Sequence, residues 1–255
     1  MARILNEKEI QQLEIAKALL KDFSVDQAFE IFLGMERGVD VSIYANTDYD
    51  KEQMQEIRNG LENGVNASIY ADPKYCKQQM EQISKGLEAG VGVSVYADPK
   101  FGVDQMWQIR EGLEDDLDVL VYADPKFDSY QMSEIRRGLK NGVDVSIYAY
   151  RKFNYNQMRE IRKGLEKGVD VSLYADPKFN DWQMKIIRTG LEEILDAAIY
   201  ANAEFSAEQM IEIYLGLEAG LDVAVYADPQ YSPYEMEEIR KRLKAKAKRN
   251  SGKND

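Results

Sequence analysis

The sequence repeats itself every 26 residues, and this period constrains the fold more than any other feature. A tyrosine recurs at that spacing through eight copies without insertion or deletion, at Tyr44, Tyr70, Tyr96, Tyr122, Tyr148, Tyr174, Tyr200 and Tyr226. A methionine series from Met54 to Met236 keeps the same period. A strict period in this range is typical of stacked repeat arrays, in which each unit packs against its neighbours. The period therefore predicts one continuous solenoid rather than separate globular domains.

Each copy contains a short segment in which apolar and polar residues alternate. In the segment VDVSIYA (residues 39–45), the apolar side chains occupy alternate positions, and Asp40, Ser42 and Tyr44 fall between them. Alternation with a period of two is typical of a strand that buries one face. The pattern predicts one strand in each copy, with the aspartate, serine and tyrosine on the exposed face.

A helix is predicted after each strand. Asp50 precedes Gln53 by three residues, which is the spacing of a capping box, in which two side chains satisfy free amide groups at a helix start. Met54, Ile57 and Leu61 then lie on one helix face because they are three and four residues apart. The same boxes are expected at Asp128, Asn154, Ser206 and Ser232. Each copy is therefore one strand and one helix.

Two glycine positions recur in the predicted helices. Gly64 follows the helix and suits the left-handed conformation of a helix end, so copies with Asp116 or Ile194 at this place are expected to end differently. Gly60 and its equivalents lie inside the helix, where glycine costs roughly 1 kcal/mol relative to alanine. We expect close approach of a neighbouring helix to offset that cost.

The spacing of strands and helices predicts a curved array. Parallel strands stack about 4.8 Å apart, whereas packed helices need roughly 8–10 Å. The expected fold class is therefore an α/β horseshoe of eight strand–helix repeats, with a parallel sheet on the concave face and helices on the convex face. A capping helix is predicted over residues 1–22, starting at Asn6, followed by the repeats over residues 23–243 and a basic C-terminal tail over residues 244–255.

This arrangement resembles the leucine-rich-repeat class of α/β solenoids. Valine, isoleucine and a Tyr-Ala-Asp-Pro turn stand where that class has its leucines and asparagines, as at residues 70–73. The units are also similar to 26-residue repeats in proteins of unassigned function from gut Firmicutes and their mobile elements. The resemblance implies strands on the inner arc of a horseshoe.

The composition narrows the classes of function. The chain has a formal net charge of −12, no histidine and a single cysteine, Cys76. Histidine is the commonest general base and metal ligand, so its absence disfavours most enzymes and metal centres. No segment reaches the about 18 apolar residues of a membrane span, and no signal peptide opens the chain. We therefore expect a cytoplasmic, non-enzymatic protein without cofactor, metal or catalytic residues.

The candidate binding site is the concave face of the predicted sheet. Tyrosine is enriched at interface hot spots because it combines a large contact area with one polar group. The candidate residues are the central members of the tyrosine and aspartate rows and one leucine that replaces serine: Tyr96, Tyr122, Tyr148, Tyr174, Tyr200, Asp118, Asp144, Asp170, Asp196 and Leu120. Two other interpretations of the rows are that the tyrosines only stack on one another, and that neighbouring aspartates share a calcium ion.

The acidic charge favours a protein partner with a basic surface. Direct binding of nucleic acid and membrane association are not expected, and homo-oligomers could form through open sheet edges. The alternative function is that of an acidic anti-defence inhibitor, of anti-CRISPR or anti-restriction type, which blocks the nucleic-acid groove of a nuclease.

Overall fold

The computed structural model describes residues 7–251, and the chain forms two compact units that divide between Ser129 and Tyr130. Asn6, the predicted first helix cap, and residues 252–255 of the predicted tail lie outside the described residues. Unit 1 contains the helices α1 (Glu7–Leu19), α2 (Val25–Arg37), α3 (Lys51–Glu62), α4 (Lys77–Glu88) and α5 (Val103–Glu114). Unit 2 contains α6 (Ser129–Lys140), which begins at the boundary, α7 (Tyr155–Lys167), α8 (Asp181–Glu192), α9 (Ala207–Glu218) and α10 (Pro233–Ser251).

The predicted strands are short 3₁₀ turns. In unit 1 they span Val41–Ile43, Ala67–Ile69, Val93–Val95 and Val119–Val121, and in unit 2 Val145–Ile147, Val171–Leu173, Ala197–Ile199 and Val223–Val225. Residues 7–251 contain no β-strand. The predicted α/β horseshoe with a parallel sheet is therefore wrong, as is the route to homo-oligomers through sheet edges. The chain is a helical repeat array, and each repeat is one α-helix followed by one 3₁₀ turn.

Local hydrogen bonds explain why these segments turn instead of extending. The Asp40 carboxylate accepts a hydrogen bond from the Ser42 amide at 3.1 Å. The amides of Tyr44 and Ala45 both donate to the Val41 carbonyl, at 3.1 and 2.8 Å. Since these amides are satisfied within the segment, they are not available to pair with another strand.

The 3₁₀ geometry also turns the tyrosine inward. Residues three apart lie on the same side of a 3₁₀ helix, so Tyr44 follows Val41 towards the helix instead of pointing to the opposite side. Its side chain is fully buried, and its hydroxyl donates to the Glu30 carbonyl at 3.0 Å. The same burial holds for all eight tyrosines of the series.

The helix glycine leaves room for that hydroxyl. A Cβ atom built on Gly34 would lie 2.0 Å from Tyr44 Oη, and the equivalent distance at Gly60 to Tyr70 Oη is 1.9 Å. The same contact recurs at Gly86, Gly112, Gly138, Gly164, Gly190 and Gly216. Glycine is thus required by the tyrosine ten residues later in the same repeat. The expectation that a neighbouring helix explains it is wrong.

The predicted helix starts are confirmed. Asp50 and Gln53 form the expected capping box, and the expected boxes also begin at Asn154, Ser206 and Ser232.

The glutamine of the capping box has a second role that the sequence did not predict. Gln53 Nε2 also donates to the carbonyls of Pro73 and Tyr75 in the next repeat, at 3.0 and 2.6 Å. Equivalent pairs of bonds start from Gln27, Gln79, Gln105, Gln157, Gln183 and Gln209.

The helix ends keep one backbone conformation whatever residue is present. Gly64 has φ of 77°, which confirms the predicted left-handed end. Asp116 and Ile194 adopt the same conformation, with φ of 55° and 61°, so the expectation that these copies end differently is wrong. A β-branched residue in this region is strained.

We predict that Gly164→Ala destabilises the fold. The new methyl group would lie 1.9 Å from Tyr174 Oη and 2.8 Å from Val171 Cγ1, so the tyrosine must move. Overpacking of this kind typically costs about 1–3 kcal/mol, which urea denaturation will measure. The matched control is Gly92→Ala, because a Cβ there meets no atom within 4 Å. Equal losses for the two variants would contradict the proposed role of the helix glycine.

We predict that Ile194→Gly stabilises the fold. Ile194 is 94% exposed, so the substitution removes little packing, and it relieves a left-handed conformation that costs a β-branched residue about 1–2 kcal/mol. Glycine also loses more backbone entropy on folding, which leaves a net gain of roughly 0.5–1 kcal/mol. The reciprocal control is Gly168→Ile, at φ of 71° in unit 2, which should be destabilising. A lower melting temperature for Ile194→Gly would refute the interpretation of strain.

Candidate protein-binding groove

The predicted tyrosine site does not exist as an exposed surface. Tyr96, Tyr122, Tyr148, Tyr174 and Tyr200 are all fully buried. Each hydroxyl donates to a carbonyl of the preceding helix in its own repeat, at 3.1–3.5 Å. The prediction that these residues point outward is wrong, because the 3₁₀ turn directs them under the helix. They are core residues.

The predicted aspartates lie on the surface with a local structural role. The carboxylates of Asp118, Asp144 and Asp170 accept hydrogen bonds from the amide two residues later, at 3.0–3.2 Å. Asp196 is exposed but makes no such bond. Hydrogen bonds from Ser146 and Ser172 lower the pKa of Asp144 and Asp170 below the usual value. A binding role for the four aspartates stays a prediction.

The structure brings few of the predicted residues together. Leu120 is 75% exposed and lies beside Asp118, whose carboxylate accepts its amide, in unit 1. Asp144, Asp170 and Asp196 belong to three successive turns of unit 2. No group of three or more acidic or cysteine side chains in residues 7–251 is arranged to hold a metal ion.

Buried polar pairs connect successive helices within each unit. Arg58 Nε donates to the Glu30 carboxylate at 2.9 Å, and Arg110 Nε donates to Gln82 Oε1 at 3.2 Å. Unit 2 repeats the arrangement in the pairs Arg162–Glu134, Arg188–Glu160 and Arg240–Glu212, at 2.7–3.0 Å. The two partners are always 28 residues apart. We call these contacts the 28-residue pairs.

The pair between α8 and α9 is apolar. Ile186 and Tyr214 occupy the places that hold an acceptor and an arginine in the other pairs. Both substitutions open the surface between the two helices to apolar side chains. A pocket of about 240 Å³ results, lined by Trp182, Lys185, Ile186, Thr189, Ile211, Tyr214 and Leu215. We call it the α8–α9 groove.

The groove presents aromatic and aliphatic surface. Trp182 is 60% exposed and Ile211 is 41% exposed. The Lys185 ammonium lies 5.0 Å from the centre of the Trp182 ring, in a cation–π contact that is worth about 0.5–1 kcal/mol at an exposed site. Such a contact is weak enough for a partner to displace the lysine. The tryptophan is therefore available for binding.

Acidic residues lie on the same two helices. The Tyr214 hydroxyl donates to the Glu193 carboxylate at 2.6 Å, and this hydrogen bond raises the pKa of Tyr214 to about 12. Asp181 begins α8, while Glu208 and Glu218 lie in the first and last turns of α9. The groove thus combines an apolar floor with acidic residues on or next to the two helices that form it.

The sequence contained a signal for this site. Trp182 stands out as a large aromatic where most copies have small or polar residues, and Ile186 with Tyr214 departs from the pattern of both 28-residue positions. A departure at two positions becomes meaningful only when the positions are known to touch. The predicted site residues belong to the 3₁₀ turns or flank them directly, whereas the residues that line the groove belong to α8 and α9.

Comparison with known proteins gives no assignment. No protein-family model, curated protein or solved structure matches this chain. Among residues 7–251, none of the helices combines the length and the apolar character needed to cross a bilayer.

One other 28-residue pair lacks its arginine. Glu56 on α3 stands at the acceptor position, but the residue 28 places later is Ser84, which is too short to reach it and is buried. Burial raises the pKa of the Glu56 carboxyl, and Glu81 and Glu88 raise it further. The wild-type chain therefore holds a partly buried carboxylate without the arginine that neutralises its equivalents.

We predict that Ser84→Arg stabilises the fold most at neutral pH. The arginine would pair with Glu56 as Arg58 pairs with Glu30, a gain of roughly 1 kcal/mol. Because the folded-state pKa of Glu56 is raised, its contribution to stability is present at low pH and is lost as the pH rises through that pKa. The variant's advantage should therefore shrink as the pH falls from neutral towards the ordinary value of 4.5.

Denaturation by urea across this pH range will test the prediction. Ser84→Met is the matched control, because it adds a side chain of similar length without a charge. If the arginine and methionine variants show parallel pH profiles, Glu56 does not pair with the new residue.

Proposed function

We propose that this chain is a non-enzymatic repeat scaffold that binds another protein through the α8–α9 groove. The observation that carries the proposal is the replacement of a buried polar pair by Ile186 and Tyr214 beside the exposed Trp182. Exposed apolar side chains that line one pocket are typical of interaction sites. Tryptophan and tyrosine are also the residues most enriched at the energetic centres of interfaces.

The shape of the groove favours a helical segment as the partner. Two packed helices leave a channel along their length into which a third helix can place side chains spaced three and four residues apart. Trp182 and Thr189, at opposite ends of the α8 wall, are seven residues apart, which corresponds to about two helical turns. A partner helix would therefore insert two or three apolar residues.

The surrounding charges favour basic residues on that partner. Asp181, Glu193 and Glu208 lie on or next to the two groove helices, and the whole chain has a net charge of −12. Complementary charge accelerates encounter and selects among partners. We expect lysine or arginine to flank the apolar residues of the partner helix. The same net charge disfavours direct binding of nucleic acid.

The structural use of the polar residues supports a role without catalysis. Seven of the eight repeat tyrosines donate to helix carbonyls, and Tyr70 donates to Ser84 Oγ. The buried glutamines bond to the next repeat, and the buried arginines pair with carboxylates. These groups are occupied by the fold. A cytoplasmic location, also part of the proposal, is consistent with the single cysteine, Cys76, which cannot form an internal disulfide.

Inhibition of a nuclease by acidic mimicry is less favoured. That alternative rests on the acidity of the surface. Asp118, Asp144 and Asp170 accept amide hydrogen bonds in their own turns, so their recurrence has a structural explanation. The groove, in contrast, has no role in the repeat.

Peptide selection against the purified chain tests the proposed function. Displayed random peptides should be enriched for apolar residues at helical spacing, flanked by lysine or arginine. Binding of the selected peptides should weaken at least about tenfold, or 1.4 kcal/mol, in Trp182→Ala and Ile211→Glu. Both residues are exposed, so circular dichroism should show an unchanged fold.

Tyr234→Ala is the matched control for this experiment. Tyr234 is 70% exposed and occupies in α10 the repeat position that Trp182 occupies in α8, but it does not line the groove. Its removal should leave peptide binding unchanged. Peptides that bind the groove variants and the wild type equally would exclude the groove as the binding site.

A further inference from the structure

A second exposed surface lies in unit 2 at the turn before α7. Here Tyr150 and Arg151 replace the Asp-Pro or Asn-Ala pair of the other turns in this unit. In those turns, Asp176, Asn202 and Asp228 each accept a hydrogen bond from the amide two residues later, at 2.9–3.0 Å. The tyrosine hydroxyl lies at the far end of its ring and cannot take the place of that short side-chain acceptor.

The replacement keeps the turn but removes two stabilising features. The Tyr150 amide donates to Tyr148, and the Phe153 amide donates to Tyr150 at 3.0 Å, as in the other turns. The side-chain bond and the rigid proline are both absent at this place, and each normally favours the turn. A turn that loses local stabilising features without gaining a contact in the core is typical of a functional surface.

The side chains around this turn are aromatic and cationic. Tyr130 and Tyr150 are 65% and 51% exposed, and the rings of Tyr130 and Tyr155 lie 5.1 Å apart. Residues 150–159 contain three cationic residues and no acidic one, in a chain with a net charge of −12. Arg151 is exposed and has no ion-pair partner within residues 7–251. We call Tyr130, Tyr150, Arg151, Lys152 and Tyr155 the basic aromatic patch.

Unit 1 carries a surface of complementary chemistry. Leu120 is 75% exposed where the other repeats have serine or alanine. Asp116 and Asp118 are exposed and lie close to it in sequence, and Asp118 accepts the Leu120 amide. We call these three residues the acidic leucine patch. It offers an apolar side chain for a tyrosine ring and carboxylates for arginine and lysine.

We infer that the basic aromatic patch binds the acidic leucine patch of a second copy of this chain. Tyrosine supplies contact area and arginine supplies charge-assisted hydrogen bonds. The two patches carry opposite charge, and both expose apolar side chains. The contact joins two different surfaces, and every chain carries one of each. The patches are small, which places the association among weak, transient contacts.

The net charge sets the conditions for this association. Two chains of charge −12 repel one another at low salt. At an ionic strength of about 0.1 M the Debye length is about 10 Å, so long-range repulsion is screened while direct contacts persist. Self-association should therefore be strongest at intermediate ionic strength. The same acidity disfavours a nucleic-acid strand on the patch, although stacking on tyrosine is available to bases.

Sedimentation velocity of the full chain over a concentration series tests the inference. The wild-type chain should form reversible oligomers whose average mass rises with concentration. The variants Arg151→Glu/Lys152→Glu and Asp118→Lys/Leu120→Lys should each weaken association at least about tenfold. An equimolar mixture of the two should restore association as heterodimers, because each variant retains one intact patch. Asn66 and Gly92 replace the aspartate in other repeats, so the second variant should fold.

Lys74→Glu/Lys100→Glu is the charge-matched control, since both lysines occupy the repeat position of Lys152 in unit 1, and it should associate like the wild type. Should Asp118→Lys/Leu120→Lys unfold, Leu120→Ser alone must still weaken association. Trp182→Ala should leave association unchanged, which separates this contact from the α8–α9 groove.

A wild-type chain that stays monomeric at every protein and salt concentration overturns the inference. A mixture of the two variants that fails to restore association also overturns it. Binding of a single-stranded oligonucleotide that Arg151→Glu abolishes, without self-association, would assign the patch to nucleic acid instead.

Discussion

The contact between the buried tyrosine and the helix glycine sets the geometry of each repeat. The hydroxyl of Tyr44 reaches the Glu30 carbonyl only because Gly34 has no Cβ in its path. Glycine costs the helix about 1 kcal/mol relative to alanine. Burial of a whole tyrosine ring and a hydrogen bond for its hydroxyl offset this cost. The pair fixes how the 3₁₀ turn folds back under its helix, and the remaining contacts of the repeat follow from that position.

The links between repeats depend mainly on backbone acceptors. Gln53 caps its own helix through Oε1 and binds two carbonyls of the next repeat through Nε2. Carbonyl acceptors are the same whatever side chains surround them, so this link places no demand on exposed residues. The outer positions of the helices and turns are therefore free to vary. That freedom suits a scaffold on which different repeats carry different surfaces.

The sequence predicted the helices, their capping boxes and the left-handed ends, because each depends on neighbouring residues such as Asp50, Gln53 and Gly64. The prediction was wrong for the five-residue segment that contains Val41 and Tyr44. Its residues fit both the spacing of two that is typical of a strand and the spacing of three that is typical of a 3₁₀ turn. The constant ten-residue interval between helix glycine and tyrosine was the signal that could have decided between strand and 3₁₀ turn. The α8–α9 groove was harder to predict, since Ile186 and Tyr214 are 28 residues apart and meet only across two helices.

Two departures from the 28-residue pairs differ in kind, and the difference bears on function. At α3 and α4 only the arginine is lost, which leaves the Glu56 carboxylate partly buried and raises its pKa. At α8 and α9 both partners change together, so no charge is left buried without a partner. Random loss of the arginine would leave a carboxylate without its partner, as between α3 and α4. The matched change to Ile186 and Tyr214, with Trp182 and Ile211 beside it, removes the electrostatic penalty and creates apolar surface that the fold itself does not use.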